Sequence, residues 1–124
     1  MSEVKIKRIY DPAEANDGFR VLVDRLWPRG IAKAKASIDA WLKEAGPSTE
    51  LRKWFGHDPV KWKEFQTRYA KELKGAEALK DLVVMAEKRK KITLLFGAKD
   101  EEQNQAVVLQ KIIKRRLGVR KKEG

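Results

Sequence analysis

The chain has 124 residues, 42% of them hydrophobic, with 29 Lys and Arg against 18 Asp and Glu for a net charge of +11. That length suits one domain with a real core, and no apolar run approaches the roughly 20 residues of a membrane span. With no cysteine and one histidine, disulfides, Cys-ligated zinc, iron–sulfur clusters, thiol catalysis and His-pair metal motifs are excluded.

Val4–Tyr10 opens with Val4 and Ile6 alternating against Lys5 and Lys7, the period-2 pattern of a half-exposed strand. Asn16-Asp17-Gly18 signals a turn. Phe19–Leu26, centred on Val21-Leu22-Val23, reads as a strand buried on both faces, stopped by Pro28 and Gly30. Ser37–Ala45 fits helical and strand spacing equally and ends at Gly46-Pro47. Ser48 caps a short helix that stops at Gly56, and Asp58-Pro59 opens the next, whose apolar face is Trp62, Phe65, Tyr69 and Leu73. Leu79, Leu82, Val83 and Ala86 mark a third helix, ending in a basic run. Ile92–Phe96 has the continuous apolar profile of a central strand. Asp100 to Gln103 resembles a capping box for a last helix, with Ala106, Leu109, Ile113 and Leu117 inward and Gly118 at its end. Strands alternating with helices predict a single α/β domain over residues 1–118. Its Rossmann-like, mainly parallel sheet of about four strands carries helices on its faces, and a basic tail follows over residues 119–124.

In open parallel sheets ligands bind beyond the carboxyl ends of the strands. Three segments lie there: Asp24 to Gly30, Gly46 to Ser48, and Gly97 to Asp100. The first has two arginines around a tryptophan, groups that suit an anion and a planar ring; its bland alternative is an Asp24–Arg25 ion pair beside a core tryptophan. His57 beside Asp58 has the chemistry of a general base, although such pairs more often sit at helix caps. Ser48 lacks any nucleophile-elbow context. Asp24, Asp100 and Glu101 have no spacing that demands a metal, and neither a metal nor a cofactor is expected. No glycine-rich phosphate motif is present.

Three stretches together carry a resemblance: Arg20 to Gly30 (RVLVDRLWPRG), Pro47 to Pro59 (PSTELRKWFGHDP) and Thr93 to Ala106 (TLLFGAKDEEQNQA). They are similar to the YeaO-like branch of the family of the domain of unknown function 488. The resemblance covers nearly the whole chain except the basic tail. It implies a small prokaryotic, cytosolic α/β protein of unsettled activity. A wider branch carries an Asp-Val-Arg-x-x-Pro segment matching Asp24-Arg25 through Pro28, and an Ile-x-Tyr segment matching Ile38 to Trp41, which turns Ser37–Ala45 towards strand. That branch has cysteines after its last strand; here Phe96 and Asn104 to Ala106 stand at the matching positions, so no thiol role carries over.

The resemblance and the strand-end argument give a candidate ligand site of Asp24, Arg25, Trp27, Arg29, Ser48, His57, Lys99, Asp100 and Asn104, with Pro28 and Trp54 alongside. In it Arg25 and Arg29 hold a small nucleotide- or phosphate-like anion, Trp27 stacks, and Asp100 and Asn104 orient the ligand. Two alternatives stand beside this reading. One is a nucleic-acid-binding protein using Lys114, Arg115, Arg116, Arg120, Lys121 and Lys122; the other is a protein-interaction module using exposed tryptophans. The composition, 38% charged, leans weakly towards a heat-adapted source. A cytoplasmic chain with no membrane partner is the expectation, and the residues specify no oligomeric state.

Overall fold

The structure is a computed structural model that describes the backbone of residues 2–123 and the side chains of residues 2–118. The strands β1 (Glu3–Arg8), β2 (Phe19–Leu22), β3 (Ala40–Trp41) and β4 (Lys91–Phe96) form one sheet in the order β1-β4-β2-β3. Every pairing is parallel. The helices are α1 (Thr49–Phe55), α2 (Trp62–Leu73), α3 (Glu77–Lys88) and α4 (Gln105–Glu123). This is the α/β domain that the alternation of strand and helix patterns predicts.

β4 sits between β1 and β2, which is why Ile92 to Phe96 carry no polar residue except Thr93. Side chains alternate across a strand. Ile92, Leu94 and Phe96 join Val21 and Val23 in the main core, against Leu51 and Phe55 of α1, Phe65 and Tyr69 of α2, Leu82 and Val83 of α3, and Leu109 and Ile113 of α4. Leu95 and Leu22 face the other way, onto Ile9 and Ala36, where Trp27 and Trp41 complete a smaller cluster. This second face is covered by the loops that join β1 to β2 and β2 to β3, with short 3-10 turns at Ala15–Asp17 and Lys33–Lys35.

A buried ion pair lies under the second face. Asp17 and Arg20 are both nearly inaccessible and bonded to each other, and Lys7 Nζ lies 3.1 Å from Asp17 Oδ1. Arg20 Nε donates to the Ser37 carbonyl at 2.7 Å, and Thr93 Oγ1 donates to the Asp17 carbonyl at 2.7 Å. Burial alone would raise the Asp17 carboxyl; bonds from the Glu14 amide, Lys7 and Arg20 outweigh it and hold the group below the usual carboxylate range.

Several boundaries differ from the sequence expectation; β1 ends at Arg8 rather than Tyr10, and α2 begins at Trp62 after a 3-10 turn at Pro59–Lys61 rather than at Pro59. β2 ends at Leu22 rather than Leu26, because Asp24 turns its carboxylate onto the Gly97 amide and the chain leaves the sheet. The ambiguous segment 37–45 yields only the two-residue β3, followed by a 3-10 turn at Lys43–Ala45. The last helix begins at Gln105, because Asp100 Oδ1 accepts from the Glu102 and Gln103 amides and closes a turn of its own. Its backbone also continues past Gly118 to Glu123. The side chains of Arg120, Lys121 and Lys122 lie outside the described residues.

Candidate functional site

All strands being parallel, the loops after β1, β2, β3 and β4 leave the sheet on one side. Specific bonds draw them together. Arg25 Nε donates to the Pro47 carbonyl at 2.9 Å and Arg25 Nη2 to the Gly46 carbonyl at 3.0 Å, tying the loop after β2 to the loop after β3. The Gly97 amide donates to Asp24 Oδ2 at 2.8 Å, tying the loop after β2 to the end of β4. Tyr10 Oη donates to the Arg29 carbonyl at 2.9 Å and brings in the end of β1. Two glycines permit the approach. A Cβ at Gly97 would lie 2.9 Å from Asp24 Oδ2, and one at Gly46 would lie 2.8 Å from the Arg25 nitrogen.

Between these loops and the start of α1 lies a cleft of about 410 Å³. Its charged lining is Asp24, Arg25, Arg29 and Arg52, with His57 beside them; Tyr10, Leu26, Trp27 and Phe55 supply apolar walls. Asp24 is the most perturbed group here. Burial raises its carboxyl to about 6, against the lowering effects of the Gly97 amide, the Gln105 side chain and the Arg52 charge. Gln105 Nε2 donates to Asp24 Oδ1, so the first residue of α4 is fastened to the loop after β2.

The arginines are placed differently. Among the described residues none of Arg25, Arg29 and Arg52 forms an ion pair. Arg25 spends two of its five donors on the Pro47 and Gly46 carbonyls. Arg29 is exposed at the mouth. Arg52, on the inner turn of α1, has its Nε buried without any acceptor. A buried donor left unmade costs about 1–3 kcal/mol, so this atom is a marked exception to the usual satisfaction of polar groups.

Five of the nine sequence-predicted site residues line the cleft: Asp24, Arg25, Trp27, Arg29 and His57. Trp27 does so from a fixed position. Its Nε1 donates to the Ile31 carbonyl at 2.7 Å, Trp41 packs edge-on at 5.2 Å, and Lys33 Nζ lies 5.7 Å from its ring centroid. His57 has a left-handed backbone, φ 57°, and its ring lies 5.8 Å from that of Phe55. The other four lie off the lining. Ser48 caps α1, accepting from the Leu51 amide at 3.1 Å and donating to Glu72 at 2.5 Å. Lys99 is exposed. Asp100 is held below its ordinary range by the Gln103 and Glu102 amides. Asn104 is buried and caps α4, its Oδ1 accepting from the Val107 amide at 3.1 Å and its Nδ2 donating to the Asp100 carbonyl at 2.8 Å.

Sequence reasoning missed Arg52, Gln105 and Tyr10. The only signal for Arg52 was its place in the stretch from Pro47 to Pro59, one turn into α1. None of the four tryptophans is exposed; all are half-buried, and Trp54 lies under Arg68 and Lys61 at 4.1 and 5.2 Å. Among the described residues no three His, Cys, Asp or Glu side chains gather as a metal site, and no helix is long and apolar enough to cross a membrane.

Comparison with known proteins gives relatives that share this chain's length. An uncharacterized protein of Escherichia coli, YeaO, is 47% identical over 106 residues, covering 86% of this chain and 92% of its own. Uncharacterized proteins of Mycobacterium tuberculosis and Mycobacterium bovis are each 36% identical over 112 residues, 90% of this chain and 94% of theirs. No solved structure matches. The model of the inactive DUF488-N3 subclade matches residues 3–124, and the chain belongs to that branch of the DUF488 family.

Proposed function

We propose that this protein is a binding domain that takes a small anionic molecule in the strand-end cleft. The observation that carries the reading is Arg52: a guanidinium whose Nε is buried and faces no acceptor, in a cleft where three arginines, none of them in an ion pair, stand against the one carboxylate of Asp24. A guanidinium fork presents planar, paired donors to a phosphate or carboxylate, and an anion here would supply the missing acceptor. The reading takes the cleft as a binding site without turnover: its lining has no serine, threonine, cysteine or lysine, and Asp24, His57 and Tyr10 are its nucleophile- or base-type side chains. The description of the subclade as inactive points the same way.

The test is thermal melting of the full chain in phosphate, sulfate and chloride at constant ionic strength. An anion at about ten times its dissociation constant stabilises the folded state by about 1.4 kcal/mol, or roughly 4–6 °C for a chain of this size. The expected result is a shift in phosphate or sulfate that Arg52→Gln abolishes and Arg29→Gln weakens. Equal melting in all three salts at millimolar concentrations overturns the reading.

A further inference from the structure

Four large apolar side chains are exposed among the described residues, and two of them, Tyr10 at 44% and Leu26 at 58%, stand on this one cleft. Scattered exposed apolar groups need no explanation, but a pair on the walls of a concave site beside unpaired guanidiniums does. Tyr10 is a fixed plane. Its hydroxyl is tied to the Arg29 carbonyl, and the Arg8 guanidinium lies 5.0 Å from its ring centroid. Its Cε2 lies so near Gly97 that a Cβ there would be 3.9 Å away. A ring held in this way loses little freedom when something packs on it.

The same cleft offers acceptors as well as cations. Asp24 takes one hydrogen bond on each oxygen, and a carboxylate has about four lone-pair sites, so it retains capacity for a ligand donor. Gln105 donates through Nε2 to Asp24, and its Oε1 has no donor among the described residues. Inorganic phosphate would engage the arginines and leave the plane, the apolar wall and these acceptors without a role in a 410 Å³ cleft.

Resting on the anion reading, we infer that the ligand is a nucleoside monophosphate. Its phosphate meets Arg52 and Arg29, its base lies against Tyr10 and Leu26, and an N–H or O–H of the base or ribose donates to Asp24 or Gln105. No bond is made or broken; the inference concerns recognition.

Calorimetric titration of the full chain at pH 7 and fixed ionic strength tests it, with inorganic phosphate, ribose 5-phosphate, adenosine, and the four ribonucleoside monophosphates as probes. At least one monophosphate is expected to bind about tenfold more tightly than ribose 5-phosphate, the low end of what base stacking on an aromatic side chain is worth. That advantage should fall to about threefold or less in Tyr10→Ala and diminish in Leu26→Ser. Leu26 is too exposed for its loss to unfold the chain, so it guards against a Tyr10→Ala variant that does not fold. Ribose 5-phosphate binding as tightly as every monophosphate overturns the nucleotide inference and leaves the anion reading standing. Phosphate, ribose 5-phosphate and all monophosphates failing to bind overturns both. Adenosine binding as tightly as its monophosphate shows that the arginines do not select the ligand, and overturns the inference from the other side.

Discussion

Asp24 combines two opposed demands. Its carboxylate organises the cleft by accepting from the Gly97 amide and Gln105, yet burial disfavours its charge and raises it from 3.8 to about 6. A folded-state pKa above the unfolded value means that the native chain binds more protons between about pH 4 and 6. Stability contributed by this group is therefore greatest below that window and falls as pH rises through it, by at most about 3 kcal/mol. Asn at position 24 can keep both bonds if the Gln105 amide turns over. Asp24→Asn is expected to be more stable than wild type at pH 8 and to lose that advantage at pH 4, as read by urea unfolding at both pH values. Asp17 has the opposite sign: its carboxyl is held low, so its contribution is present at neutral pH and lost in acid. Arg25 and Arg29 also separate. Arg25→Gln removes charged bonds to two carbonyls and should cost about 2 kcal/mol, whereas Arg29→Gln should cost about 0–0.5 kcal/mol. Equal costs in denaturant unfolding would show that Arg25 does not hold the loops together. Asp24 and Arg25 were legible in sequence because a charged pair directly after a buried apolar strand falls at a strand end. Arg52 was not, because its direction depends on how α1 docks, which no local spacing encodes.

At the scale of elements, the helices were the legible part. Ser48 and Gly56 bound α1 as their capping chemistry predicts, with Gly56 left-handed at φ 51°, whereas Asp58-Pro59, expected to open α2 directly, opens a 3-10 turn at Pro59–Lys61 and α2 follows at Trp62. The start of α4 shows why the site was only half legible. Asp100 can cap a helix or close its own turn, and here it closes the turn, which hands the capping role to Asn104. Successive residues on a helix point about 100° apart. The delay therefore buries Asn104 and turns Gln105, its neighbour, onto Asp24. Asn104, four places from Asp100, thus bonds to the turn and the start of α4 and stands off the cleft lining. Asn104→Ala is expected to cost about 0.5–2 kcal/mol through the missing cap while leaving any anion-induced thermal shift intact. Loss of that shift in a folded Asn104→Ala protein would place Asn104 in the site after all. The strands were harder. β3 contributes two residues and pairs with β2 through Val21 and Leu22 only, too short a stretch for period-2 spacing to stand out from helical spacing.

At the scale of the molecule the question is what a net charge of +11 does. The last fourteen residues hold seven Lys and Arg against one Glu, so six of the eleven excess positive charges fall in that segment. Lys114 and Arg115 are exposed on α4, and the last described side chain packed against the core is Leu117. A surface charge of this kind attracts any polyanion by releasing counterions, an effect that is steep in salt and blind to sequence. A cleft holding one phosphate answers to salt much less. The two contributions are separable by deleting residues 119–124, which removes Arg120, Lys121 and Lys122. Duplex DNA binding, measured by fluorescence anisotropy from low to physiological salt, should weaken steeply in wild type. In the truncated chain its log–log salt slope should be shallower by up to about 2.7, or about 0.9 for each phosphate no longer neutralised. Monophosphate affinity and anion-induced stabilisation should not change. If the truncation leaves the DNA slope unchanged and Arg52→Gln flattens it, the polyanion is entering the cleft, and nucleic acid becomes the ligand that the arginines recognise.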